Sequence, residues 1–184
     1  MPISTEVPSF AAASPLLRGA YGLALDAHHG PAREGDTTIH HPTRVAWLLQ
    51  ESGFEESVVA AALLHDVIED TAIDLDEIEV RFGNEIACLV REMTEDESIE
   101  PYEARKGEHR ARIASDRRVA AIYAADKLAN ARTFNESHEQ PDDAKLEHYC
   151  RTLDTLRARQ PDLPFLEPLQ EELQRLRAGQ ASEA

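Results

Sequence analysis

Residues 60–71 read AAALLHDVIEDT, and this stretch places ionisable side chains directly after an apolar run. The apolar run is Val58–Leu64, and the ionisable residues that follow are His65, Asp66, Glu69 and Asp70. Such groups are costly to bury unless they are paired or bind a metal. The stretch therefore indicates a polar site at the end of an otherwise buried segment.

A helical projection puts the polar groups of this stretch on one side. At about 100° per residue and with His65 at zero, Glu69 falls at about 40° and Asp70 at about 140°. Five apolar residues, Ala60, Ala61, Leu64, Val67 and Ile68, fall between roughly 200° and 320°, while Ala62 and Leu63 interrupt the polar arc. We therefore predict a helix from Glu55 to Ile68 that presents its charges to a cavity. The alternative is a surface helix end with two acidic pairs, capped by Thr71.

The length and composition predict one globular domain. The 184 residues are 42% hydrophobic and 29% charged, which fits a single substantial core. We expect the domain to span residues 14–178, with a disordered segment at 1–13 and a frayed end at 179–184. The sequence contains no apolar run of about 18 residues, so no membrane span is predicted.

The net charge and the cysteine content indicate which classes of partner and which cellular compartment to expect. The formal net charge is -16, which argues against nucleic acid or an anionic membrane as the main partner. A phosphorylated substrate would then need a local cation. The N-terminus lacks the pattern of a signal peptide, and Cys88 and Cys150 need not pair. We read both as buried thiols in a reducing compartment, so a cytoplasmic location is predicted.

The rest of the chain predicts an all-α bundle of about eight to ten helices. We find no alternating β-branched runs and no hairpin turns. Apart from the central stretch, helices are predicted at about 15–29, 42–51, 74–82, 84–93, 102–114, 116–135, 142–159 and 165–176.

Two further residues turn the central dyad into a candidate metal site. His41 lies 24 residues before His65, and Asp126 lies 61 residues after it within the apolar segment IYAAD. With Asp66, they make two imidazoles and two carboxylates, a set that suits Mn²⁺, Fe²⁺, Mg²⁺ or Co²⁺. Zinc is disfavoured because no cysteine joins the set. Each residue also has a simpler explanation: His41 could precede Pro42 at a helix start, and Asp126 could pair on a solvated face.

A polar stripe favours the site over the solvated face. Asp126, Asn130 and Thr133 recur at helical spacing on a segment rich in alanine. Arg132 falls on another side of that helix, which argues against a place in the site. The other histidines have no comparable partners, and we predict loop or surface positions for them: His28, His29, His40, His109, His138 and His148.

Four separated segments resemble the HD-domain metal-dependent phosphohydrolases. They are AHHGPAR at 27–33, IHHPTRVAWLL at 39–49, ALLHDVIEDT at 62–71 and AADKLANARTF at 124–134. Within that family, the chain resembles the (p)ppGpp hydrolase domain of RelA/SpoT-type proteins, and most of all the small stand-alone alarmone hydrolases. The likeness runs from about residue 20 to about residue 160.

The resemblance implies a helical fold that holds one Mn²⁺ ion and hydrolyses a small nucleotide. It implies release of pyrophosphate from the 3′ position of (p)ppGpp, leaving GDP or GTP. The residues that match the family's metal ligands are His41, His65, Asp66 and Asp126. The pair that matches its water-activating and proton-transferring residues is Glu69 and Asp70. The residues that match its nucleotide contacts are Arg33, Lys127, Asn130 and Thr133.

The loop that carries Arg33 departs from the family pattern. Pro31 stands where a Gln is usual, Glu34 where a basic residue is usual, and Thr37-Thr38 where Pro-Tyr is usual. Tyr123 replaces a common Lys. Two alternatives therefore stay open: hydrolysis of another nucleotide, such as a nucleoside monophosphate or NADPH, and a non-catalytic nucleotide-binding module. Glu69 and Asp70 argue against the module, and the oligomeric state is left open.

Overall fold

A computed structural model describes residues 7–28 and 39–183, and within these ranges all regular structure is helical. The predicted all-α class is confirmed. Two of the eleven described helices are single turns of four residues, so the nine longer ones lie within the predicted number. The chain divides into two compact units, Met1–Thr94 and Glu95–Ala184. The extent of the predicted domain, 14–178, stays a prediction.

The first unit is built around one buried helix. Its helices are α1 Ser9–Ala12, α2 Pro15–His28, α3 His40–Glu51, α4 Glu56–Leu64, α5 Val67–Asp70, α6 Leu75–Phe82 and α7 Asn84–Met93. Helix α4 packs against α2, α3 and α7. Every residue from Val58 to Leu64 is buried, so this helix has no solvent face over that span. A helix that is apolar all round belongs in a core.

The predicted continuous helix from Glu55 to Ile68 is wrong, because α4 ends at Leu64 and α5 begins at Val67. The physical cause lies in the ring of His65. Its Nδ1 lies 2.7 Å from the carbonyl oxygen of Ala62, which a continuous helix would use for its own ladder. A side chain that hydrogen-bonds locally to the backbone competes with the helix in this way.

The second unit has four longer helices. They are α8 Tyr102–Ile113, α9 Arg117–Ser137, α10 Asp143–Arg159 and α11 Leu166–Glu183. Helix α9 packs against α11, α10 and α8, and α10 also packs against α8 and α11. The residues from Val119 to Asp126 are all buried, so α9 carries Asp126 inside this unit.

The chain ends hold more helix than predicted. Ser9–Ala12 forms one turn within the segment predicted to be disordered, while residues 1–6 lie outside the described residues. Helix α11 continues to Glu183, although fraying was predicted from Gly179. A tertiary contact explains the difference, because Gln180 Nε2 donates to the carbonyl of Pro141 at 3.2 Å.

Two sequence predictions concern the membrane and the thiols. Across 7–28 and 39–183, no helix combines the length and apolar character needed to cross a bilayer. Cys88 and Cys150 are both unpaired, as predicted, but both are half-buried and not buried. The Sγ atom of Cys88 lies 3.7 Å from the guanidinium of Arg91, an exposed residue, which places this thiol at the edge of the core.

Candidate metal centre

The centre begins with His65, at the break between α4 and α5. Its ring is 3% exposed, and its Nδ1 faces the Ala62 carbonyl oxygen at 2.7 Å. A carbonyl oxygen only accepts, so Nδ1 carries the hydrogen and the neutral ring keeps its lone pair on Nε2. That buried Nε2 atom has no hydrogen-bond partner among the described residues. A histidine that ligates a metal commonly gives its other N–H to a backbone carbonyl in this manner.

Asp66 and His41 complete a cluster within the first unit. Asp66 Oδ1 lies 3.1 Å from His65 Nε2, and Asp66 Oδ2 lies 3.9 Å from His41 Nε2. The two imidazole rings are 5.5 Å apart between centroids and tilted by 58°. His41 and Asp66 are each about a quarter exposed, with side-chain exposures of 26% and 28%. Three of the four predicted ligands therefore converge on one point.

The donor set of this cluster fits a divalent cation. Leaving a buried imidazole nitrogen without a partner costs free energy, and a cation beside Nε2 would remove that cost. Two imidazoles and a carboxylate are ligands that borderline divalent metals accept. The start of α3 explains the position of His41: this helix begins at His40, so His41 lies in its first turn beside Pro42.

Helix α5 carries the predicted catalytic pair. Asp66 is the residue before its first turn, and its carbonyl oxygen accepts the backbone N–H of Asp70 at 2.9 Å. Thr71 closes the turn by donating its Oγ1 to the Val67 carbonyl at 2.6 Å. Glu69 is exposed and Asp70 is half-buried. The two carboxylates are thus carried on a single turn that starts from a candidate ligand.

In the second unit, Asp126 lies between two donors. It is 5% exposed, Asn130 Nδ2 donates to its Oδ1 at 2.6 Å, and Lys127 Nζ donates to its Oδ2 at 2.8 Å. Asn130 reaches Asp126 because the two residues are one turn apart on α9. The predicted stripe is therefore present at these two positions. The assignment of Asp126 as a metal ligand stays a prediction.

Lys127 is held by charge and by aromatic rings. Burial disfavours its ammonium and lowers the pKa, but the negative charge of Asp126 outweighs this, so the pKa of Lys127 lies well above its ordinary value. Its Nζ lies 4.3 Å from the ring centroid of Tyr123 and 5.5 Å from that of Tyr149. Both rings present a face that attracts a cation. Its predicted contact with the nucleotide is untested.

The remaining predicted residues lie in different settings. Thr133 is exposed and donates its Oγ1 to the Ala129 carbonyl at 3.0 Å. Arg132 Nε lies 3.6 Å from Glu172 Oε1 on α11, away from the Asp126 stripe as its position predicted. Arg33 lies outside the described residues.

Sequence reasoning missed a buried polar cluster in the second unit. His109 is 1% exposed and His148 is 5% exposed, so the prediction that they lie in loops or on the surface is wrong. His148 Nδ1 lies 2.8 Å from Arg110 Nη1, and its Nε2 lies 3.0 Å from Tyr123 Oη. The missed signal is helical spacing. His148 precedes buried Thr152 and Leu156 at four-residue intervals, which places all three on the buried face of α10.

Comparison with protein families identifies the chain's relatives. The HD domain model matches residues 20–153. A probable guanosine-3′,5′-bis(diphosphate) 3′-pyrophosphohydrolase from Synechocystis is 37% identical over 130 residues, which cover 65% of this chain and 17% of that protein. The mouse guanosine-3′,5′-bis(diphosphate) 3′-pyrophosphohydrolase MESH1 is 39% identical over 104 residues, covering 55% of this chain and 58% of MESH1.

A solved structure extends the similarity over nearly the whole chain. It is the metazoan ortholog of SpoT described as hydrolysing ppGpp and acting in starvation responses, with a TM-score of 0.74 and 30% identity. The superposition covers 94% of this chain and 98% of that one. By contrast, the chain spans less than two thirds of the two curated relatives above. The chain belongs to the HD domain family, in the branch that includes SpoT and its metazoan ortholog.

Proposed function

We propose that this protein hydrolyses (p)ppGpp at its 3′ position, releasing pyrophosphate and leaving GDP or GTP. The observation that carries the proposal is the first-unit cluster, in which His65 Nε2 has no hydrogen-bond partner among the described residues and lies 3.1 Å from Asp66 Oδ1. The names of the SpoT-related proteins supply the reaction, because those proteins are described as 3′-pyrophosphohydrolases.

We assign the metal to His41, His65, Asp66 and Asp126, and we propose Mn²⁺ as the ion. When bound, a divalent ion lowers the pKa of a coordinated water and neutralises phosphate charge. Mn²⁺ is low in the affinity order and acidifies water less than zinc does, so a protein base is useful beside it. The carboxylate of Asp126 already accepts two hydrogen bonds, which fix its orientation within its own unit.

Glu69 and Asp70 carry the proton transfers in this proposal. Both belong to the single turn of α5 that follows Asp66, so they lie within four residues of that candidate ligand along the chain. Glu69 is exposed and would take a proton from the attacking water. Asp70, on the same turn, would relay that proton to the departing oxygen. Asn130, Thr133, Lys127 and Arg33 are proposed nucleotide contacts, and Arg33 would contact the base.

One assay tests the reaction against its two alternatives. Purified protein with Mn²⁺ is given ppGpp, pppGpp, nucleoside monophosphates and NADPH, and released pyrophosphate and phosphate are measured separately. Pyrophosphate from ppGpp is the expected result. Phosphate from another nucleotide with ppGpp intact would assign a different hydrolase. Binding of a nucleotide without any turnover would assign a non-catalytic module.

Two variants test the division of roles between ligand and base. Asp66→Ala should abolish Mn²⁺ binding in calorimetry, because it removes a ligand carboxylate. Glu69→Gln should keep Mn²⁺ affinity and lose turnover by roughly 10²-fold or more, the range that general base catalysis supplies. Glu79→Gln, an exposed glutamate on α6, is the matched control. Full turnover in Glu69→Gln would contradict its role as base.

We further propose that the protein is located in the cytoplasm and that its main partner is a small-molecule nucleotide. The acidic net charge of -16 supports the absence of a nucleic-acid partner.

A further inference from the structure

Two cationic side chains of α8 share a single carboxylate, and a third contacts a neutral histidine. Arg105 Nε lies 3.2 Å from Glu95 Oε2, and Lys106 Nζ donates to Glu95 Oε1. Arg110 forms no ion pair with a carboxylate in the described ranges, 7–28 and 39–183. Arg105 and Lys106 thus share one carboxylate, and Arg110 adds a third positive charge on the same helix, in a chain whose formal net charge is -16.

Arg110 is held in place by a neutral partner. An arginine only donates, so His148 Nδ1 accepts from Arg110 Nη1 at 2.8 Å and His148 Nε2–H donates to Tyr123 Oη at 3.0 Å. Burial, followed by the charges of Lys127 and Lys106, lowers the pKa of His148 to about 3, so the ring stays neutral. The positive charge of Arg110 is therefore oriented but not cancelled.

Lys106 lies one helical turn before Arg110, so the two side chains project from the same face of α8. Lys106 Nζ lies 5.3 Å from the ring centroid of Tyr102, which orients the ammonium. Arg110 is half-buried, and its remaining guanidinium N–H groups have no acceptor among the described residues. A half-buried cation without a counter-charge is costly, and an arginine fork beside a lysine is suited to phosphate oxygens.

We propose that Lys106 and Arg110 form a binding site for a diphosphate group, an inference that rests on the proposed function for its ligand. Their separation by one turn suits two neighbouring phosphates, each of which would take one cation. Glu95 holds Lys106 when no ligand is bound, so an incoming diphosphate exchanges with that carboxylate. The ligand could be the diphosphate that remains on the nucleotide or the one released.

Calorimetry with metal-free protein in chelator tests the site without requiring turnover. The probes are inorganic pyrophosphate, which represents the released group, and GDP, which represents the retained one. Lys106→Met and Arg110→Met should each weaken binding of at least one probe by about tenfold or more, the value of one charge-assisted hydrogen bond. Arg112→Met is the matched control, because it removes the same charge from α8 at a residue that pairs with Glu108 at 3.2 Å. It should leave both affinities within about twofold.

Glu95→Gln separates a binding site from a purely structural ion network. If Lys106 exchanges between Glu95 and the ligand, removing the carboxylate charge should tighten diphosphate binding severalfold. If the network is only structural, Glu95→Gln should lower the thermal unfolding temperature and leave affinity unchanged, and that result would overturn the proposal. Arg110→Lys, which keeps the charge, should recover part of the affinity that Arg110→Met loses.

The outcomes also distinguish this site from the proposed reaction. Normal hydrolysis of ppGpp with unchanged KM and unchanged diphosphate affinity in both Met variants would refute the site and leave the reaction intact. Diphosphate binding that depends on Lys106 and Arg110, in a protein that hydrolyses no (p)ppGpp, would support the site and refute the reaction.

Discussion

At the residue scale, the ammonium of Lys127 contacts one carboxylate and two aromatic rings. Lys127 follows Asp126 in the sequence, and the family resemblance implies that it contacts the nucleotide. The structure shows a Lys127 side chain that is 14% exposed, with an ammonium that donates to the Asp126 carboxylate and lies over the Tyr123 ring. A spacing argument could not anticipate this pair, since adjacent residues on a helix diverge and only a flexible side chain can fold back. We therefore expect Lys127 to stabilise the folded protein by neutralising the charge of Asp126.

We predict that Lys127→Met destabilises the metal-free protein by about 3 kcal/mol, because it leaves a buried carboxylate without its counter-charge. Added Mn²⁺ should recover part of the loss, since an ion that binds the folded state stabilises it. Urea unfolding with and without Mn²⁺ provides the measurement. The control is Lys145→Met, which removes an exposed ammonium. Equal stability of the two variants would show that the pair with Asp126 contributes little.

At the element scale, the sequence predicts most helix boundaries to within one or two residues. Pro15 opens α2 as predicted, and α6 ends at Phe82, directly before Gly83. Gly83 has a φ of 88°, a backbone conformation that favours glycine. The failure at His65 has a different origin, because periodicity does not reveal a ring that takes a backbone carbonyl for itself. Local caps are visible in sequence, whereas that kind of competition is not.

Asp74 offers a direct test of a predicted helix start. Its side chain accepts the backbone N–H of Glu77 at 2.9 Å, ahead of the first residue of α6. Asp74→Ala should therefore lower the free energy of unfolding by about 1 kcal/mol. Glu79→Ala, an exposed change inside the same helix, should stay within about 0.5 kcal/mol of the parent. The cap would be unimportant if chemical denaturation gave the two variants the same midpoint.

At the scale of the whole molecule, the sequence predicts the helical class, the family and the residues of the first-unit cluster. It does so because HDVIEDT holds predicted ligand and catalytic positions within one short segment, whose mutual geometry follows from local structure. The buried cluster around His148 escaped prediction, because its members come from α8, α9 and α10 and only tertiary packing brings them together. Sequence alone gave His148 no partner.

His148 also gives the folded protein a pH dependence. Folding lowers the pKa of His148 from 6.5 to about 3, so between these pH values the ring is protonated in the unfolded chain and neutral in the folded protein. Above about pH 6.5, His148 does not reduce the free energy of unfolding. As the pH drops from about 6.5 towards 3, that free energy falls by at most about 1.4 kcal/mol per pH unit.

The His148→Gln variant should lose that part of the pH dependence. Between pH 7 and pH 5 the parent should lose about 2 kcal/mol more stability than the variant does, a value that follows from the slope above. Urea unfolding at both pH values measures the difference, and comparison with the parent cancels the other histidines and the carboxylates. Parallel pH profiles would mean that His148 takes up a proton inside the folded protein.

The hydrogen bond between His65 and Ala62 has a consequence for the rate of metal uptake. The hydrogen bond fixes the imidazole ring of His65 with the lone pair on Nε2. An arriving ion can therefore bind Nε2 without a prior rotation of the ring or transfer of a proton. The rate-limiting step of metal uptake would then be the loss of hydration water from the ion, and not rearrangement of the imidazole. Different divalent ions would enter at different speeds, in the order in which they exchange water, even where their final affinities are similar.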